Sequence, residues 1–380
     1  DTYGPLVYHQ LGETPRVYGL QEAYTRFFAD LDEGQQLIRE YLDEGGDNNK
    51  FKEYDMLTNG KTLKEWLKFA NSLRLRLAMR ISNVDATLAK DQATKALNDN
   101  QGVLEGARET IAVMGKNYIN PLCAVAGWGE VYMNASMESI INGYEDPRGK
   151  KWYNTALLEG YQKQLLGIPI GLPMKDGDAN IYSFCSSLNT STIGEKTGAV
   201  LMSAAEVWLL RAEAALRGYT KENPRTCYEY GVSTSFTQWD CAGASEYLES
   251  DKTPADYKDV VSGGKVGKDM KALITISPKW EEDADIETKL EKIITQKWLA
   301  CWPESYEAWA EQRRTGYPKL FKVQNNTGKV IDTDIMIRRL PFSTDAATAD
   351  PAQYATLTEK LGGADNGATR LWWDTGKNSF

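Results

Sequence analysis

The sequence predicts a mainly α protein in which helices frame one large irregular segment. Three observations carry that reading. Apolar residues recur at helical spacing through residues 20–43, 62–98 and 203–218. Between about 116 and 198 that period disappears, and Asn, Gly, Pro, Ser and aromatic residues take its place. Helical order then closes the argument at residues 291–318, where three tryptophans and two tyrosines accompany two amphipathic stretches joined at Pro303 and stopped at Gly316.

Taken in order, the first predicted helix places Tyr24, Phe27, Phe28, Leu31, Ile38, Tyr41 and Leu42 on one face. The run Glu44-Gly-Gly-Asp-Asn-Asn49 ends it. A second helix opens at Thr62-Leu-Lys-Glu65, a capping box in which hydroxyl and carboxylate reciprocally satisfy free backbone N–H groups. Its stripe runs from Leu63 to Ile81, with Arg74, Arg76 and Arg80 emerging beside it as expected ion-pair partners. A third helix follows from Asp85 to about Asn98. Ser203 and Gly218 bracket a strong amphipathic helix, and another covers roughly 223–236. Ala212 and Ala215 ahead of Tyr228 and Tyr230 resemble a tetratricopeptide-type pair, in which small residues admit an aromatic neighbour, although the strict repeat is not met. The expected scaffold is thus 19–100, 200–240 and 285–316 within one domain spanning 1–380. Leu371-Trp-Trp-Asp374 predicts a C-terminus docked on the body.

Composition narrows function mainly by exclusion. A net charge of −9 with 42% hydrophobic residues describes a globular chain without the clustered Lys and Arg of a nucleic-acid or anionic-membrane surface. His9 is the single histidine, so any His-based triad or zinc pair would have to pass through it. Five dispersed cysteines with no CxxC pair argue against a disulfide framework; only Cys227 and Cys241 lie near enough to suggest a bond. No apolar run has the length of a bilayer span. Asp1-Thr-Tyr-Gly-Pro5 reads as folded sequence rather than a secretion signal, so a processed or trimmed chain is expected, and composition does not exclude export.

Motifs for chemistry are weak. Asn59-Gly-Lys-Thr62 lacks the upstream glycine of a phosphate loop, and Gly127-Trp-Gly keeps only the first glycines of a dinucleotide fingerprint. Asp176-Gly-Asp-Ala-Asn180 imitates the start of a calcium loop but has Ile181 and Ser187 where glycine and an acid are needed, so a turn is the expectation. No cofactor or metal is called for. Aromatic side chains of the irregular segment remain as candidates, because ring faces stack on sugar C–H faces or on peptide side chains at low entropic cost. The residues singled out for ligand contact are Trp128, Tyr132, Asn134, Trp152 and Tyr182.

Several segments, in order from end to end, resemble the SusD/RagB family of Bacteroidetes outer-membrane lipoproteins. They include Asp1-Thr-Tyr-Gly-Pro-Leu-Val-Tyr8, Ala70-Asn-Ser-Leu-Arg-Leu-Arg76, Asp146-Pro-Arg148, Ala205-Glu-Val-Trp-Leu-Leu-Arg-Ala-Glu-Ala214, Glu307-Ala-Trp-Ala-Glu-Gln-Arg-Arg-Thr-Gly-Tyr-Pro318, Arg338-Arg-Leu-Pro-Phe342 and Leu371-Trp-Trp-Asp374. The resemblance implies a tetratricopeptide-like scaffold whose loop-rich half carries the ligand site. It also implies a non-enzymatic, lipid-anchored protein on the outward face of the outer membrane that captures oligosaccharide for a SusC-like TonB-dependent transporter. A peptide-binding RagB-like subunit, an adaptor that only docks the transporter, and a carboxylate glycosidase stay open as alternatives. The family's upstream portion, with its lipid-bearing cysteine, is expected to be missing from this chain, and no family binding residue is carried across.

Overall fold

A computed structural model describes residues 1–9, 12–58, 60–115, 118–174 and 179–377. The calcium-like motif that starts at Asp176 lies largely outside them. Thirteen helices and four short strands appear among the described residues. The helices are α1 (Leu20–Asp43), α2 (Leu63–Arg80), α3 (Ala86–Leu97), α4 (Pro121–Ala126), α5 (Ala135–Tyr144), α6 (Gly149–Trp152) and α7 (Ala204–Leu216). They continue with α8 (Pro224–Gln238), α9 (Ala244–Leu248), α10 (Ile286–Ala300), α11 (Ser305–Thr315), α12 (Ala346–Ala349) and α13 (Pro351–Leu361). Strands β1 (Leu6–Tyr8) and β2 (Arg16–Tyr18) pair antiparallel, with Val7 opposite Val17. β3 (Ile111–Val113) pairs with β4 (Ala199–Met202), with Ile111 opposite Met202.

The scaffold consists of antiparallel helix pairs, as a tetratricopeptide-like fold requires. α2 packs on α3, α7 on α8 and α10 on α11, while α7 also contacts α2 and α10. Local chemistry explains the boundaries. Thr62 Oγ1 accepts from the Glu65 amide at 3.2 Å while Glu65 accepts from the Thr62 amide at 2.7 Å, completing the capping box at the start of α2. Asp85, Ser203, Asn223 and Asp285 cap α3, α7, α8 and α10 from one side only, each side chain accepting a backbone N–H. Gly316 closes α11 in the left-handed region (φ 80°), where a Cβ would be strained.

Two kinds of interior hold these pairs together. The main apolar core joins α5, α7, α8 and α10 through Ile140, Leu209, Tyr228, Phe236 and Ile293. A second gathers Leu75, Ala78, Ala93 and Leu210 between α2, α3 and α7. Against these runs a buried ionic layer. Lys297 Nζ lies 2.7 Å from Glu307 and 3.4 Å from Glu311, and Arg80 reaches both acids, at 2.6 Å from Glu307. Arg76 meets Glu206 at 2.6 Å, and Arg314 meets Glu213 at 2.6 Å and Glu311 at 2.5 Å. Burial alone would neutralise these acids, but the surrounding guanidinium and ammonium groups hold Glu307 and Glu311 below the usual carboxylate range. Such a layer adds little net stability over apolar packing, yet it penalises any arrangement that leaves one member unpaired.

The arginines read as ion-pair partners are therefore paired, and Arg74 and Arg80 are fully buried. The C-terminus docks: Trp373 is buried beside Leu20, Tyr24 and Leu371, and Asp374 receives Arg338 at 2.7 Å. One expectation needs correction. The segment 116–198 holds a ten-residue helix, α5, whose residues are buried on nearly every side, so no amphipathic stripe announced it. Cys227 and Cys241 are unbonded thiols.

Candidate functional site

The loop-rich segment and the α10–α11 turn face each other across an open cleft of about 370 Å³. One wall belongs to the scaffold. Ser305, Ala308, Trp309 and Gln312 lie at i, i+3, i+4 and i+7 of α11 and so share one helix face, which lines the cleft. Trp298 comes from the last turns of α10, and Trp302 and Glu304 come from the turn itself. The opposite wall is Val131, Tyr132, Asn134, Tyr153 and Leu188, with Phe321 and Met336 closing one side. Isolated bridges pin that wall: Tyr132 pairs with Ser187, Asn134 with Ile168 and Tyr153 with Leu188.

Ring placement follows from what stands behind each ring. Trp302 stacks on Trp152 (centroids 5.0 Å apart, planes at 19°) and meets Trp239 edge-on at 5.2 Å. Its indole N–H donates to Tyr153 Oη at 3.1 Å. One face of Trp302 is thus fixed by neighbours and the ring still borders the cleft, half-buried. Trp309 carries the Arg313 guanidinium 3.6 Å from its ring centre. Arg148 lies beneath this assembly, over Phe236 at 4.9 Å and Trp152 at 5.6 Å, with Asp146 as its buried counter-ion at 2.6 Å.

Polar groups are few. Asn134 Oδ1 accepts from the Ser136 amide at 2.7 Å as the cap of α5; among the described residues its amide nitrogen has no partner. The Gln312 side chain also makes no hydrogen bond among them. Both amides can therefore serve a ligand's hydroxyl or carbonyl groups. Glu304 is the single carboxylate lining the cleft among the described residues. It accepts from the Glu307 amide at 2.9 Å, capping α11. Burial raises its pKa to about 7; Glu307 and Glu206 add to the rise and Arg76 opposes it.

The residues singled out from sequence divide three ways. Tyr132 and Asn134 line the cleft. Trp128 does not, standing 70% exposed just after α4. Trp152 and Tyr182 must be reassigned. Trp152 is 0% exposed, its ring filling the core behind Trp302, so it reaches a ligand only through that neighbour. Tyr182 is 1% exposed and ties two loops together, its hydroxyl 3.1 Å from Asp259 Oδ2 and accepting from the Gly267 amide at 3.0 Å. Sequence reasoning passed over Trp298, Trp302, Trp309 and Gln312, which line the cleft, because they sit on amphipathic helices and in their turn. A signal was present: Trp309 shares its face with Ser305 and Gln312, a mixture that core packing does not need.

An α-rich frame that offers an aromatic cleft defines a helical binding protein. Comparison with known proteins identifies the family. A model described as SusD-like, Susd and RagB outer membrane lipoprotein, matches residues 1–374, and the chain belongs to that family. A SusD homologue from Bacteroides vulgatus is 56% identical over 100% of this chain and 76% of its own length, with a TM-score of 0.96. A chitin-binding SusD homologue from Flavobacterium johnsoniae is 35% identical over 100% of this chain and 78% of its own, with a TM-score of 0.92. A SusD-like protein from Bacteroides thetaiotaomicron is 32% identical over 98% and 77%, with a TM-score of 0.89. Among curated proteins none matches.

Proposed function

We propose that this chain is a non-catalytic capture protein for oligosaccharide, presenting its cargo at the outer surface of the outer membrane to a SusC-like TonB-dependent transporter, with a lipid anchor as its membrane attachment. The observation that carries the reading is the convergence of half-buried Trp298, Trp302 and Trp309 with Tyr132 on one open cleft. Flat ring faces suit the C–H faces of pyranose rings, and the Asn134 and Gln312 amides suit hydroxyl or acetamido groups. The Flavobacterium relative is described as chitin-binding, which favours a saccharide over a peptide. Glycosidic hydrolysis calls for two carboxylates flanking the bond, and the cleft wall offers Glu304. In this reading Tyr132, Asn134, Trp302 and Trp309 touch the ligand, Trp152 positions Trp302, and Tyr182 holds the loops.

Titration calorimetry against a panel of oligosaccharides, chitin fragments included, and a peptide library tests the proposal. Saturable saccharide binding that falls at least about thirtyfold in Trp309→Ala supports it, since a central aromatic contact contributes about 2 kcal/mol or more. Peptide binding with no saccharide binding overturns the ligand class. Purification of the chain with its transporter barrel tests the partner separately; a ligand-competent chain that never associates with a barrel contradicts that half.

A further inference from the structure

A second cavity, of about 480 Å³, opens directly beside the aromatic cleft. Gln312, Leu320 and Met336 line both, so the two adjoin across those side chains. Their chemistry differs sharply. The aromatic cleft has no Lys or Arg on its wall among the described residues, whereas the second cavity is bordered by basic side chains in a chain whose net charge is −9.

Their pairing shows where positive charge is left over. Arg314 is matched by Glu213 and Glu311. Arg338 and Arg370 share one carboxylate, the fully buried Asp374, at 2.7 and 2.6 Å. Arg313 has no carboxylate partner among the described residues; it donates to the carbonyls of Arg338 at 2.7 Å and Asp1 at 2.9 Å and stacks on Trp309. Lys319 pairs with Glu291 at 2.8 Å and Lys322 with the exposed Asp334, while Lys377 has no ion pair among the described residues. Glu287, the remaining acid on the wall, has an interaction of its own with Tyr317 Oη at 3.2 Å. With Arg314 set aside, six cations thus face four carboxylates among the described residues. Burial first, then the neighbouring Arg80 and Arg338 charges, pull the Arg313 pKa down to about 9, with Asp374 and Glu307 opposing. Lys319, Lys322 and Lys377 are exposed and Arg370 half-exposed, so the excess is accessible from the cavity.

We propose that this basic cavity is a subsite for the anionic group, carboxylate or sulfate, of an acidic oligosaccharide whose neighbouring ring lies against Trp302 and Trp309. The inference rests on the saccharide reading above and narrows it to uronate- or sulfate-bearing chains. Lys319 and Lys322 supply mobile point charges at the mouth, and Arg370, released from full neutralisation by the shared Asp374, supplies a planar donor fork. Gln312, at the junction, bonds the linkage between the two rings.

Calorimetry with length-matched neutral, uronate and sulfated oligosaccharides tests this on the native chain, Lys322→Gln/Lys377→Gln, and the same double variant with Lys319→Gln added. The double variant removes only exposed charges and guards against misfolding. The expected result is a preference of about tenfold or more for an acidic chain, weakened by salt and lost in stages in the variants, with neutral binding unchanged. The uronate and sulfate arms show which anion is taken. Equal affinity for neutral and acidic chains, with both lost in Trp309→Ala, overturns the subsite and leaves the capture function standing. An acidic preference that survives the lysine variants also overturns it. Failure of the native chain to bind any saccharide removes the capture reading and the subsite with it.

Discussion

The two walls of the cleft are built on opposite principles. The scaffold wall, α10 and α11, is backed by charge: Lys297, Glu307, Glu311, Arg80 and Arg314 are buried directly behind the helix whose front face carries Trp309 and Gln312. The loop wall is held by backbone bridges, Tyr132 to Ser187 and Tyr153 to Leu188, and by ring contact, Tyr153 meeting Trp302 edge-on at 5.8 Å. Buried ion networks tolerate few arrangements, because each member left unpaired is costly. Aromatic packing is less directional and admits small rearrangements. The pairing therefore fixes Trp309 of α11 in place, and the loop wall is the side suited to adapt to what enters.

Variants that break one wall sharpen this contrast. The largest expected effect is on the ionic layer. Arg314→Met takes one of its buried cations from both Glu213, which keeps Arg217, and Glu311, which keeps Arg80 and Lys297, and should cost about 3–5 kcal/mol in denaturant unfolding. Trp302→Ala comes next, at about 3–5 kcal/mol of stability if the core behind it cannot close, together with most of the saccharide affinity. Trp152→Phe should act through Trp302, lowering affinity severalfold although the residue touches no ligand; unchanged affinity would remove its positioning role.

The pH dependence tests the charged side of the comparison. Glu304 and Glu138 have pKa values raised by burial to about 7 and about 8, from an ordinary 4.5. A carboxyl that holds its proton more tightly when folded adds stability at low pH. That contribution should decline as pH rises from about 4.5 towards 8. Glu304→Gln keeps an oxygen for the Glu307 amide, so it should leave stability near pH 4.5 unchanged and raise it by about 1–2 kcal/mol above pH 7. Thermal unfolding at the two pH values checks both the sign and the window. The smallest effect is expected at Tyr182→Phe, about 1 kcal/mol of stability from the lost hydrogen bonds and no change in binding.

The scaffold was legible because its signals are local. Thr62 with Glu65, Ser203 with Gly218, and Pro303 with Gly316 mark helix ends by hydrogen-bond chemistry that spacing reveals. The candidate cleft was legible only in half. Tyr132 and Asn134 fall on the cleft, but whether an aromatic ring faces ligand or core depends on which side its neighbours cover, and those neighbours are distant in sequence. Trp152 and Trp302 are 150 positions apart yet stack face to face, and the partner nearer the cleft is the one on the helical frame. Helix α5 escaped notice for a related reason: buried on nearly all sides, it shows no polar face to give it a period.

The most direct test of the central claim, that a rigid helical face holds a saccharide without altering it, is tryptophan emission followed during titration with oligosaccharide, with the recovered saccharide then weighed by mass spectrometry. The account predicts a saturable change that is absent in Trp302→Ala/Trp309→Ala and a saccharide recovered at its original mass. A change that persists in the double variant, or a shortened saccharide, would contradict it.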